Sequence, residues 1–130
     1  MPNYIIYKTR TRNLLLQYSH SLEQLSKYDV TNKFINVIPP LEPVVTKACF
    51  AIVMSSVMQR VKFKYGERGY RFALLEAGHI AQNILLAATS EELGAVPIGG
   101  FFDDRLNDIL GLDGLEEIVI YSVLVGNLKN

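Results

Sequence analysis

Between Phe72 and Thr89 the chain carries apolar residues on every side of what can only be a helix: Ala73, Leu74, Leu75, Ala77, Ile80, Ala81, Ile84, Leu85, Ala87 and Ala88. A helix that is hydrophobic all round must be covered all round. The helical pattern runs from Glu67 to Leu93, with Gly94 placed as a left-handed stop. A chain of 130 residues surrounds one such helix only with difficulty, so a second subunit is a natural wall. Gly78, Ala81, Leu85 and Ala88 recur at three- and four-residue spacing and form a narrow seam for a close helix neighbour. The competing reading is a central core helix inside one subunit.

Length and composition narrow the rest. Residues 1–130 form one domain, long enough to bury a core and too short for two. Hydrophobic residues make up 49% and charged residues 20%, which is globular composition. The positive mean hydropathy is unusual for a small domain with so much surface to cover, and it points to an apolar face buried against a homodimer partner. Thirteen basic and thirteen acidic residues cancel, leaving no electrostatic case for nucleic acid. Cys49 is the single cysteine, flanked by Ala48, Phe50 and Ala51, so no internal disulfide forms and a buried inert thiol is expected. No segment has the length of a membrane span, and the apolar run of MPNYIIYKTRTR is too short for a signal peptide. These features predict a cytoplasmic protein.

Along the chain, Tyr4–Tyr7 and Leu14–Tyr18 read as a hairpin around a basic turn, KTRTRN. Ser21 with Gln24 three residues on is a capping-box pattern and predicts a helix through about Tyr28. Asp29–Asn36 either extends it or forms a second turn. Pro39, Pro40 and Pro43 mark a loop. Ala48–Met54 is a continuous apolar run of the kind buried on both faces of a sheet, and Val57–Phe63 predicts a short helix ending near Gly66. Val96–Gly99 is a short strand. Asp103 or Asp104 caps a helix with Leu106, Ile109 and Leu110 inward and Gly111 at its end, and Ile118–Val125 is the last strand. The fold class is α+β, with helices packed on a sheet.

Glu76, His79 and Asn83 share one polar stripe of the long helix. They either reach a ligand, pair across a two-fold axis, or form an internally hydrogen-bonded set, the last being the expectation for buried polar groups. With two histidines, one cysteine and no metal-ligand spacing, no metal site is expected. Gly99-Gly100 after Pro97-Ile98 reads on its own as a turn. Lys64 and Tyr65 read on their own as a helix-terminal cation and a packed aromatic.

The order of elements in KFKYGERGYRFALLEAGHIAQNILLAATSEELGAVPIGGFFDD, residues 62–104, resembles the flavin-dependent nitroreductase fold, C-terminal portion only. The nearest branch is the SagB/ThcOx-type azoline dehydrogenases. The resemblance implies an intertwined homodimer and FMN as cofactor. It implies that Pro97, Ile98, Gly99 and Gly100 lie beside the flavin ring, where side chains would clash, and that Lys129 lies near the phosphate. The Lys64-Tyr65 pair matches the branch's catalytic Lys-Tyr: Lys64 takes a proton while hydride leaves for FMN, and Tyr65 orients or relays. A lysine held out of water parts with its proton more readily, as such a base requires. The family's Arg-Arg-Ser-x-Arg phosphate segment and its Ser/Gly-rich loop have no counterpart in this sequence. Three readings follow: a homodimer with a reduced FMN site, a separate chain that supplies the other half, or a flavin-free dimeric scaffold.

Overall fold

The computed structural model describes the backbone over residues 3–8, 13–18, 21–26, 31–38 and 42–128, and side chains over 32–38 and 43–128. Six strands build one sheet: β1 (Asn3–Lys8), β2 (Asn13–Tyr18), β3 (Ser21–Ser26), β4 (Phe50–Val57), β5 (Leu93–Ile98) and β6 (Glu117–Asn127), in the order β3-β2-β1-β4-β6-β5. All five pairings are antiparallel. The helices are α1 (Thr31–Ile35), α2 (Glu42–Val45), α3 (Met58–Tyr65), α4 (Gly69–Ser90) and α5 (Asp103–Leu110), with a 3-10 turn at Gly66–Arg68 joining α3 to α4. The α+β expectation holds.

Alternation along β4 and β6 divides the apolar residues between the two faces of the sheet. Ala51, Val53, Val119 and Leu124 join Phe34, Val37, Ile38, Val45, Leu106 and Leu110, so α1, α2 and α5 cover one face. Met54, Val123 and Val125 meet Ala77, Ala81 and Ala88 of α4 on the other. This two-sided burial is why β4 reads as a continuous apolar run. A bulge between Met54 and Ser55 leaves Ile120 of β6 without an opposite residue.

Several expectations are corrected. The capping-box segment Ser21–Ser26 is a strand, not a helix, paired antiparallel to β2. The two readings compete for the same hydrogen-bonding groups, and the open edge of the β1–β2 hairpin satisfies them as a ladder. Pro43 lies within α2 rather than a loop, in the first turn, where a missing N–H costs no helical bond. Gly94 does not end α4. The helix stops at Ser90, Glu92 takes the left-handed conformation at φ 56°, and Gly94 pairs with Gly126 inside β5. A Cβ on Gly94 would sit 3.2 Å from Leu128 Cδ2, so the glycine serves close approach instead. Neither Asp103 nor Asp104 is the N-cap of α5: Phe102 is, and the two acids lie in the first turn, where they favour the positive end of the helix dipole. Gly111 ends α5 with φ 70° as expected. Cys49 is half-buried.

The expected seam of α4 is also corrected. Ala81 and Ala88 are buried against their own sheet, because alanines at helical spacing let the helix sit close on the strands. Gly78 is exposed, with no atom within 4 Å of an added Cβ. The apolar surface on the far side is a different set: Phe72, Leu75 and Leu86, which are 42%, 55% and 60% exposed. Among the described residues this outer face of α4 is left uncovered.

Candidate functional site

Two hollows flank the first half of α4. The first lies between α3 and α4, about 700 Å³ in volume, and is lined by Arg60, Val61, Lys64, Tyr65, Phe72, Ala73, Glu76 and His79. Its walls meet at Gly69, where an added Cβ would lie 2.9 Å from the Val61 carbonyl oxygen, so the close crossing of the two helices requires glycine. Gly66 (φ 60°) turns the chain between them, its N–H donating to the Lys62 carbonyl. Inside, Tyr65 meets the Phe72 ring edge-on at 4.9 Å, and Lys64 Nζ stands 5.1 Å from the Tyr65 ring centroid. The pair expected to carry chemistry therefore shares one hollow, but Lys64 is exposed and Tyr65 is 45% exposed. A single chain does not supply the desolvation that a base role for Lys64 was expected to use.

Glu76 and His79 line this same hollow. The internally hydrogen-bonded set expected of Glu76, His79 and Asn83 is overturned, since all three side chains are exposed. Their i, i+3 spacing was visible in the sequence; that they share a hollow with Lys64 depends on the crossing of α3 over α4, which spacing does not encode.

The second hollow, about 380 Å³, lies at the end of β5 and is lined by Tyr70, Leu74, Gly99, Phe101, Asp103, Asp104 and Asn107 with the start of β6. Ile98 is buried, while Pro97, Gly99 and Gly100 are exposed. A Cβ on Gly99 would make ordinary contact with Tyr121 at 3.6 Å, and one on Gly100 would meet nothing within 4 Å. The main chain here is bare and open, which suits a flat ring. The polar side chains in the hollow are two carboxylates, an amide and the Tyr70 phenol, and among its described lining residues none is cationic. Asn107 is structural: its Oδ1 accepts the Val119 N–H at 3.0 Å. Lys129 lies outside the described residues.

At 100° per residue, Tyr70 and Leu74 leave one flank of α4 while Phe72, Glu76 and His79 leave the other. The Lys-Tyr hollow and the glycine hollow share no residue, so the structure does not bring the two predicted site groups together within one chain. Among the described residues, no group of three or more His, Cys, Asp or Glu side chains could hold a metal ion. No helix there is long and apolar enough to cross a membrane.

Residues 4–127 match the model of the nitroreductase family. The chain belongs to that family. Nitroreductase-family proteins generally use flavin. The chain is 40% identical over 63 residues to the Methanocaldococcus jannaschii protein MJ1384, which carries a nitroreductase name, covering 48% of this chain and 32% of that one. It is 36% identical over 67 residues to the microcin B17-processing protein McbC of Escherichia coli, covering 52% and 25%. It thus spans at most a third of either curated relative. A chain of the Escherichia coli microcin synthetase McbBCD complex with truncated pro-MccB17 bound superposes with a TM-score of 0.87 at 22% identity, over 99% of this chain and 52% of that one. That last likeness is one of nitroreductase fold.

Proposed function

We propose that this chain is a flavin-dependent oxidoreductase of the azoline dehydrogenase branch, or a subunit of one, working as a homodimer with FMN. The observation that carries the reading is the open main chain at Gly99-Gly100 beside the hollow closing β5. Pro97, Ile98, Gly99 and Gly100 would lie against the ring of the cofactor. When bound, FMN supplies a hydride acceptor. Lys64 would take the substrate proton, and Tyr65 would hold that lysine in place through its ring and hydroxyl. The branch resemblance makes a peptide heterocycle the substrate, and the likeness to a microcin B17-processing protein is consistent with a peptide.

The two hollows lie on opposite flanks of α4, so this chemistry needs a second copy to bring the Lys64 hollow of one protomer to the glycines of its partner. The uncovered Phe72, Leu75 and Leu86 supply the surface for it, and its closure would take Lys64 out of water. The phosphate needs charge-assisted donors that the glycine hollow does not carry. Lys129, the partner copy or a separate polypeptide would provide them. A cytoplasmic setting accompanies this reading.

The carboxylates of Asp103 and Asp104 in that hollow favour one alternative, a flavin-free dimeric scaffold, because they repel a phosphate-bearing ligand. Titrating the protein with FMN separates the two. Saturable quenching of flavin fluorescence supports the enzyme reading, and a protein that ignores excess FMN leaves the scaffold. In the flavin-bound form Lys64→Ala should leave the visible spectrum unchanged and abolish bleaching by an azoline peptide; unaltered bleaching removes the base role.

A further inference from the structure

On the opposite face of the sheet from α4, where α1 and α5 pack together, a third hollow of about 370 Å³ is lined by Lys33, Asn36, Arg105, Asp108 and Ile109. Arg105 is held in place from two sides. Its guanidinium carbon stands 4.6 Å over the Phe102 ring centroid, and its Nη1 donates to the Asn36 carbonyl at 3.5 Å. A guanidinium has five N–H donors in a fixed fork, and the described residues engage only one of them. Lys33 brings a second positive charge from α1. The Asn36 side chain is itself tied to the Asn32 carbonyl at 2.9 Å. Phe102 N–H donates to the Val37 carbonyl at 3.0 Å, locking the two segments that carry the cations to each other.

We propose that this hollow binds the free C-terminus of a peptide. Two cations against one carboxylate leave the hollow with a net positive charge that favours an anion, and an Arg fork pairs best with a carboxylate or phosphate. Asp108 decides between these. A carboxylate in the same hollow repels a dianion, yet accepts an N–H from a ligand that presents one beside its own carboxylate. A peptide's last residue has that combination, and half-buried Ile109 gives its side chain an apolar wall. The site shares no residue with either hollow beside α4, so it does not depend on the flavin reading.

The test is fluorescence polarisation with a dye-labelled short peptide ending in leucine with a free carboxylate, set against the same peptide capped as a C-terminal amide. The free acid should bind at least about tenfold more tightly. Arg105→Gln should weaken it by a similar factor, and Arg105→Lys, which keeps the charge and loses the fork, should fall between. Inorganic phosphate should compete poorly against the wild type and better against Asp108→Asn. Thermal melts of each variant confirm folding. Equal binding of the capped peptide, binding unaffected by Arg105→Gln, phosphate competing as well as the peptide, or no polarisation change at millimolar protein would each overturn the proposal.

Discussion

Replacing Gly69 by Ala tests whether the α3–α4 crossing is held as tightly as the geometry indicates. An added methyl would stand 2.9 Å from the Val61 carbonyl oxygen, 3.0 Å from its carbon and 3.0 Å from Cγ1. Two of those three atoms are backbone, so rotamer changes cannot relieve the clash and the helices must separate. Overpacking of this kind costs about 1–3 kcal/mol. Against it stands the helix-propensity gain of Ala over Gly, about 0.5–1 kcal/mol. The net loss is about 1–2 kcal/mol, which for a domain of this size lowers Tm by about 4–8 °C. Gly78→Ala is the control: it lies in the same helix with nothing within 4 Å, so it carries only the gain and should raise Tm by a few degrees. Both are read by thermal and urea unfolding at one fixed protein concentration. Near-ultraviolet circular dichroism follows the Tyr65–Phe72 pair, which should be disturbed only in the first variant. If the two substitutions change stability in the same direction and by the same amount, the steric account of Gly69 is wrong.

Arg at Ala81, which is 2% exposed against the sheet, should unfold the protein. Arg at Leu86, 60% exposed, should leave a folded chain and halve its mass in light scattering if the outer face of α4 pairs with a second copy. Ser122 is fully buried in β6, and its hydroxyl has no hydrogen-bond partner among the described residues. Ser122→Ala should therefore be neutral or stabilising by up to about 1 kcal/mol in urea unfolding. Asp113 Oδ1 accepts the N–H groups of Leu115, Glu116 and Glu117 at 3.0, 2.9 and 3.0 Å. These bonds, the one from Glu117 foremost, hold its carboxyl below the ordinary value of 3.8. Below that value the unfolded chain binds the extra proton first, so stability falls as the pH drops through the depressed value. The stability difference between wild type and Asp113→Asn should persist above about pH 4 and shrink as the pH falls through the depressed value; a difference independent of pH would contradict the assignment.

Much of the fold could be read from the chain because its signals are local. The β1–β2 hairpin, the apolar runs of β4 and β6, and the Gly66 and Gly111 stops each carry their own residues. The errors came where a local signal met a distant partner. Ser21 and Gln24 spell a helix start until an open strand edge is available to them. Gly94 looks like a helix stop until Gly126 and Leu128 are brought beside it. The site divides in the same way. Lys64, Tyr65 and the glycine pair were visible as motifs. Their separation by the width of α4, and the company of Glu76 and His79, depend on how helices cross. Arg105 and Lys33 left no signal at all, being 72 positions apart in an otherwise balanced charge pattern.

The sheet order places the last strand in sequence between β4 and β5. During synthesis, β4 and β5 must therefore wait without their shared neighbour until β6 leaves the ribosome, and the loop that closes β4 on β6 spans some sixty residues, with Ser55 donating to Glu117 at 2.6 Å across 62 positions. Closures of that length slow folding and leave strand edges open in the meantime. Because β6 is the strand that joins β5 to the rest of the sheet, trimming even a few residues from it would cost two pairings at once rather than one.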